Sequence, residues 1–139
     1  MSSTWKNNLS FTVFGESHGP AIGVCMDNVP PGETIDVDKI YEFMARRAPK
    51  KDGTTTMRSE KDLPQIISGY HNGKTTGTPL CILIPNEDTR SRDYAATRAL
   101  ARPGHADYTA WCKYHGFEDY RGGGHFSGRV TAALAAVGA

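Results

Sequence analysis

Three histidines of this chain lie beside both glycines and charged residues, in the segments FGESHG, RPGHADY and RGGGHFSGR. They are His18, His105 and His125. Glycine lets a backbone come close to another group, and imidazole changes its charge near neutral pH. These segments therefore predict places where a proton is given or taken beside a bound molecule, although each histidine alone is also compatible with a structural role.

A glycine triplet at residues 122–124 stands just before SGRVTAALAAVGA, a segment that predicts an alanine-rich helix with Ser127 as its N-cap. Glycine backbone N–H groups and a helix N-terminus together suit a phosphate. The segment lacks the GK[ST] of a Walker loop, and it is not a GxGxxG pattern after a strand. A phosphate cradle and a flexible turn therefore both stay open at this point.

Positive side chains cluster in two places, either of which could bind an anion or face solvent. The clusters are Arg46, Arg47, Lys50 and Lys51, and then Arg90, Arg92, Arg98 and Arg102. The net charge is only +1, so no overall field recruits nucleic acid or an anionic membrane. No aromatic interleaving supports nucleic-acid binding, so we expect no such partner, and RNA binding by the arginine loop is kept only as an alternative.

Two other chemistries are weaker interpretations of the same residues. Residues 15–19 fit the G-x-S-x-G pattern of hydrolases, but that elbow joins a strand to a helix, and here Pro20 and a second strand pattern follow. His105 and Asp107 could bind a metal, yet no His, Cys or carboxylate set at a known spacing accompanies them. We therefore expect neither a hydrolase nor a metal centre.

The elements that would position these residues follow from periodicity and turn residues. Alternation predicts strands, and Asp36 caps a helix that Pro49 ends. Asn72-Gly73 predicts a β-hairpin between the third and fourth strands. The predicted strands cover residues 9–16, 21–29, 63–70 and 78–85. One helix is predicted over 37–48, a second over part of 105–116, and a third from 127. Residues 50–62 are predicted to be a mobile loop.

Length and composition set the broad class. The 139 residues, with 15 glycines and 8 prolines, predict one loop-rich domain or part of one. Three scattered cysteines argue against a disulfide framework, and we expect each to be a small apolar filler. The polar N-terminus has no signal-peptide core, and no apolar run reaches membrane-spanning length. We expect a cytoplasmic protein with no membrane partner.

In order along the chain, the motifs resemble those of the chorismate synthase family. They are FGESHG, MDNVPPGE, ARRAP, ISGYHNGKTTGTPL, NEDTRSRDY, RPGHADYTAWCKY and DYRGGGHFSGRVTAA, and they cover the chain from about residue 11 to its end. The resemblance implies an α+β fold, a β-α-β sandwich assembled as a homotetramer. It also implies a lyase of aromatic amino acid biosynthesis, which eliminates phosphate from 5-enolpyruvylshikimate 3-phosphate and requires reduced FMN, with NADPH as a flavin reductant in some members.

The same resemblance implies residue roles. His18 matches the histidine thought to protonate the leaving phosphate, and His105 the one thought to protonate the reduced flavin. Ser17 and Ser127 match supporting hydroxyls, and Arg47 matches a basic position associated with phosphate or NADPH. The FMN-contacting segment matches His125, Phe126 and Ser127.

The chain departs from the family pattern in three ways. His125 and Phe126 stand where many relatives carry Arg and Ser, and Ala48 replaces a third arginine. Family members are more than twice as long, so we expect residues 1–139 to be the N-terminal part of a chorismate synthase domain, truncated and present only in part. The apolar positions Val130, Leu134 and Val137 of the last helix are then expected to need a partner surface. A non-catalytic fragment or anion-binding module of the same fold is the alternative function.

Overall fold

A computed structural model describes residues 3–48, 60–87, 89, 94 and 98–139 of the chain. Its centre is an antiparallel five-stranded sheet of order β1-β2-β3-β7-β4, beside a separate two-stranded β5-β6 hairpin. The strands are β1 Thr4–Lys6, β2 Ser10–Gly15, β3 Ala21–Asp27, β4 Gln65–Ser68, β5 Tyr70–His71, β6 Lys74–Thr75 and β7 Leu80–Pro85. The helices are α1 Val37–Arg47, α2 Asp107–Tyr114 and α3 Thr131–Gly138. The predicted α+β class is confirmed.

The sheet is amphipathic because alternate residues of its central strands point to one core. Ile22 and Val24 of β3 and Ile82 and Ile84 of β7 are almost fully buried, and Val24 pairs with Ile82 in register. Alternation is the pattern expected of a sheet with one covered face. The apolar residues of β2, β3 and β7 thus define which face receives the helices.

Helices α1 and α3 cover that face. Asp36 caps α1 through the backbone N–H of Lys39, and the helix buries Ile40 and Met44. In α3 the buried residues are alanines: Ala132, Ala133 and Ala136. Small side chains let a helix backbone lie close to the sheet.

Several predictions need correction. The last helix does find a partner surface within this chain, since its alanines and Val130 join the core, while Leu134 is exposed. Residues 63–70 and 78–85 do pair, as β4 with β7, but the Asn72-Gly73 turn closes the extra hairpin β5-β6. Both turn residues have positive φ, as a type I′ turn requires.

The polar N-terminus and the predicted mobile loop also behave differently from expectation. Residues 4–6 form the edge strand β1, where Trp5 stacks on Phe11 with ring centroids 5.1 Å apart. Glu60 and Asp62, placed in the predicted loop at 50–62, are buried, and Lys61 between them is exposed. Residues 50–59 of that loop, including Lys50 and Lys51, lie outside the described residues, as does Pro49. None of the described helices is long and apolar enough to cross a membrane.

Candidate active site

The turn between β2 and β3 carries Ser17 and His18 and is held from a third strand. Asn86, just after β7, donates from Nδ2 to the carbonyls of Glu16 at 3.0 Å and Gly19 at 2.8 Å. Ser17 and His18 are both buried. A turn fixed by two amide hydrogen bonds holds its side chains in one orientation, which acid–base chemistry needs.

Ser17 lies within hydrogen-bond distance of His18. The Ser17 hydroxyl lies 2.9 Å from His18 Nδ1 and 3.2 Å from the carbonyl oxygen of Arg121. When the single hydroxyl hydrogen points to that carbonyl, which can only accept, Nδ1 carries the hydrogen that it shares with Ser17. Ser17 therefore links the His18 ring to Arg121, just before the glycine triplet.

The glycine triplet packs directly on this histidine. Gly122, Gly123 and Gly124 all have positive φ, at 59°, 94° and 54°, and the Ser17 backbone N–H donates to the Gly124 carbonyl at 3.1 Å. A Cβ on Gly122 would overlap Cε1 and Nδ1 of the His18 ring and lie 2.9 Å from Ser17 Oγ. The triplet is therefore a loop whose backbone lies against the His18 ring. Its positive φ angles give it a defined conformation, so it is not a flexible turn.

The next glycine faces the second predicted histidine. A Cβ on Gly123 would lie 3.9 Å from Cδ2 of His105 and 3.7 Å from Cβ of Ser127. His105 is exposed and lies just before α2. Adjacent glycines of one loop thus contact His18 and His105, which are far apart in the sequence.

A cavity of about 550 Å³ opens beside the loop. Its wall includes Gly123, Tyr94, Trp111, Tyr114 and Phe126. His18 is not part of the wall, but its ring meets the wall residue Tyr94 edge-on at a centroid distance of 5.0 Å. Cavities of this size with aromatic walls are typical small-molecule sites.

The polar groups of the cavity wall are mostly paired. Arg102 and Asp107 form a two-pronged ion pair at 2.8 Å, and Arg121 and Asp119 form another, at 2.8 and 2.7 Å. Arg98 lies over the ring of Tyr120 at 4.9 Å. The hydrogen bond from Arg121 lowers the pKa of Asp119, and that from Arg102 lowers the pKa of Asp107 to about 2. Both carboxylates are therefore charged at neutral pH.

The Arg102–Asp107 pair gives a pH prediction. Because the pKa of Asp107 falls from 3.8 to about 2 on folding, the pair stabilises the fold above about pH 4 and loses this effect as the pH falls toward 2. Asp107→Asn should cost about 1 kcal/mol in the free energy of unfolding at pH 7, a modest value because the pair is partly solvated. The loss should shrink at pH 3 in urea titrations.

Asp38→Asn is the control for Asp107→Asn. Asp38 also lies in the first turn of a helix, so it reports the helix-dipole contribution alone. An equal loss in both variants at pH 7, or an Asp107→Asn loss that is independent of pH, would contradict the assignment.

The predicted flavin-contacting residues have different local roles. His125 is held at both nitrogens, by the Gly15 carbonyl at 2.7 Å and by Ser3 Oγ at 2.6 Å. Phe126 is half-exposed and packs near Tyr114 on the cavity wall. Ser127 accepts from the Arg129 backbone N–H at 3.2 Å and so caps the short 3-10 turn Gly128–Val130, not α3, which begins later than predicted, at Thr131. His125 thus anchors the glycine loop to β2, while Phe126 faces the cavity.

Arg47 contacts Gly128, just after the glycine loop. Its guanidinium donates to Asp62 at 2.6 Å and to the Gly128 carbonyl at 3.3 Å. Asp62 also binds Arg129, which reaches Asn86 at 3.0 Å. The structure therefore brings His18, His105, Ser17 and Ser127 to the glycine loop, whereas the described contacts of Arg47 support the end of that loop.

Sequence reasoning missed three residues that organise the site: Asn86, Asp62 and Tyr94. Asn86 directly follows an apolar strand, a position from which a polar residue can reach across the sheet edge. Asp62 has a positive φ of 50°, which a sequence does not display. Tyr94 lies in a segment whose neighbours at 90–93 and 95–97, including Arg90 and Arg92, fall outside the described residues.

Comparison with known proteins gives one consistent family. The family described as chorismate synthase matches residues 9–139. Chorismate synthase of Ralstonia pickettii is 53% identical over 94% of this chain, and that of Thermococcus kodakarensis is 47% identical over 94%. A crystal structure of chorismate synthase superposes with a TM-score of 0.64 at 30% identity, over 94% of this chain and 31% of that one.

The chain spans about a third of the length of these relatives, 36% for both proteins. The match nevertheless includes β2, β3, β7, the glycine loop and both histidines that meet there. With family, sequence and fold in agreement, this chain belongs to the chorismate synthase family.

Proposed function

We propose that this chain forms part of a lyase that eliminates phosphate from 5-enolpyruvylshikimate 3-phosphate to give chorismate, with reduced FMN as cofactor. The observation that carries the proposal is the meeting of His18 and His105 on adjacent glycines, Gly122 and Gly123. Two imidazoles beside one loop can serve two acid–base tasks in one site. Family membership supports the reaction class.

His18 is suited to assist the leaving phosphate. The ring lies beside Ser17, and in its cationic form it can protonate a phosphate oxygen. A phosphate dianion is a poor leaving group, and a proton or a cation beside it lowers the barrier to its departure. The glycine loop lies directly against the same ring at Gly122.

The cavity residues fit a flavin in size and chemistry. The aromatic wall, with Trp111 and Tyr114, suits a planar ring, and Arg98 can supply a positive charge toward a phosphate. Glu118 Oε2 is a buried wall oxygen that has no hydrogen-bond partner among the described residues, so it can accept from an N–H or hydroxyl of a bound molecule. When bound, reduced FMN would supply and recover the electron density that the elimination needs.

His105 lies beside the wall of this cavity, where it can hold a proton. It adjoins Ala106 of the wall and faces Gly123, and it is exposed to solvent, from which it can be reprotonated. Asp107 adds a negative charge two residues away. Arg47, by contrast, is engaged by Asp62 and Gly128, so direct contact with NADPH stays a prediction, and a supporting role agrees better with these contacts.

Replacing His105 tests the proposed role. In the complete protein, His105→Ala should lower turnover by at least roughly tenfold, because it removes an acid–base group. Its exposure means that the fold should be unaffected. His71→Ala, an exposed histidine of β5, is the control and should leave turnover unchanged. An unchanged rate in His105→Ala would remove His105 from the mechanism.

The alternative is a non-catalytic anion-binding module of the same fold, favoured by the chain spanning a third of its relatives. Titration of the chain with reduced FMN and 5-enolpyruvylshikimate 3-phosphate separates the two. Binding with chorismate formation supports the enzyme. Saturable binding without product supports the anion-binding module. The absence of binding would contradict both functions for a chain of this length.

A further inference from the structure

Two of the three cysteines lie side by side on the sheet. Cys25 of β3 and Cys81 of β7 are direct partners in the antiparallel register. Their neighbours Val24 and Ile82 are buried in the core, so the alternation of side chains places both thiols on the opposite face. Both cysteines are partly exposed on that face.

The distance between the thiols is short. Cys81 Sγ donates to Cys25 Sγ at 2.7 Å. Directly opposed residues of an antiparallel pair have Cα atoms about 4.5–5.5 Å apart. Disulfides form across Cα separations of about 4.4–6.8 Å, so the strands need not move to bring the two sulfurs into bonding range.

We propose that Cys25 and Cys81 form an oxidation site that closes to a cross-strand disulfide in the presence of a small-molecule disulfide. The Cys25 thiolate attacks the oxidant, whose S–S bond breaks and releases one thiolate that takes up a proton. The Cys81 sulfur, after losing its proton, attacks Cys25 and releases the second thiol. The protein loses two electrons and two protons, and the oxidant is reduced to two thiols.

The order of attack follows from the surroundings of each sulfur. Burial, and then the hydrogen bond to Cys25, raise the pKa of Cys81 to about 11, so Cys81 remains a thiol at neutral pH. A thiol is a poor first nucleophile. Cys25 therefore reacts first, and Cys81 resolves the mixed disulfide because it is already in contact.

The crosslink would connect the two central strands of the sheet. β3 begins just after the turn that bears His18, and β7 ends at Pro85, next to Asn86. A covalent bond between β3 and β7 constrains both strands in the unfolded chain. The proposal is independent of the proposed function, because it needs neither flavin nor substrate.

The test uses Cys112→Ser as the starting protein, because Cys112 is exposed and would form bonds between chains. The folded protein is incubated with oxidised glutathione, denatured, alkylated with iodoacetamide and analysed by peptide mass spectrometry. We expect one crosslinked peptide pair containing Cys25 and Cys81, with neither sulfur alkylated, and full alkylation after reduction.

A second variant serves as the control. Cys25→Ser in the same background leaves Cys81 without its partner thiol, and it should show no crosslink. Complete alkylation of both Cys25 and Cys81 after oxidation of the starting protein would overturn the proposal. Stable glutathione adducts on Cys25 without a crosslink would overturn it as well.

Discussion

Gly122→Ala should lower the free energy of unfolding by about 3 kcal/mol and turnover of the complete protein by about 100-fold. A left-handed φ costs alanine about 1 kcal/mol, and overpacking adds about 1–3 kcal/mol. The overpacking arises because a Cβ at Gly122 would overlap the His18 ring. A displaced catalytic group of this kind is expected to cost about two orders of magnitude in rate.

Gly104→Ala is the matched control. Gly104 has φ of 77°, but no described atom lies within 4 Å of a Cβ there. It carries the backbone strain without the overlap, so it should lose about 1 kcal/mol and keep its turnover. Urea unfolding and steady-state assays give both quantities. Equal effects in the two variants would show that the contact between Gly122 and His18 has no role.

Asp62→Asn should lower the free energy of unfolding by about 3 kcal/mol. The Asp62 side chain has 0% exposure and lies between Arg47 and Arg129, whose own side chain is 5% exposed. Asparagine keeps the shape and tolerates the positive φ of this residue. Asparagine removes the charge. Its side chain has one oxygen and one nitrogen, so the nitrogen, a donor, then faces an arginine, which is also a donor. Glu60 is then the carboxylate that stays paired with Arg129.

An exposed ion pair provides the comparison for Asp62→Asn. Lys39 and Asp36 lie 3.6 Å apart with side chains 78% and 50% exposed. Lys39→Ala should therefore change the free energy of unfolding by less than about 0.5 kcal/mol. Chemical denaturation of both variants at neutral pH gives the values. A loss below 1 kcal/mol in Asp62→Asn would contradict the account of this buried cluster.

The effect of Asp62 on the site is indirect. Arg47 donates to the Gly128 carbonyl, and Arg129 donates to Asn86, which holds the turn of Ser17 and His18. Asp62 binds both arginines, so it supports the glycine loop and the histidine turn from one point. This arrangement explains why Asp62 is buried although it lies in an apparently irregular, polar segment of the sequence.

The parts of the fold that the sequence predicted are those with local signals. Strands β2, β3 and β7 follow from alternation, and α1 follows from the Asp36 cap and its apolar positions. The edge strand β1 was missed because it is exposed and only 3 residues long, and its stability comes from pairing with β2. Local patterns cannot report an element that depends on its partner.

In the candidate site, too, local sequence signals predicted the residues but not the contacts between distant segments. The types of residue at His18, His105 and the glycine triplet indicated chemistry, and the family resemblance linked them. Their contact depends on a turn and a loop about a hundred residues apart, as in the hydrogen bond from Ser17 to Arg121, 104 residues away. The buried pairing of Asp62 with Arg129 spans 67 residues and leaves no periodic pattern to detect.

The central claim is that His18 and His105 belong to one anion-binding site at the glycine loop, and imidazole NMR tests it directly. Reduced FMN is titrated under anaerobic conditions, with the ring resonances of all histidines followed together. The account predicts that the resonances of His18 and His105 shift along the same saturation curve, while those of His71, exposed on β5, stay in place. A shift of only one of the two, or equal shifts at His71, would contradict it.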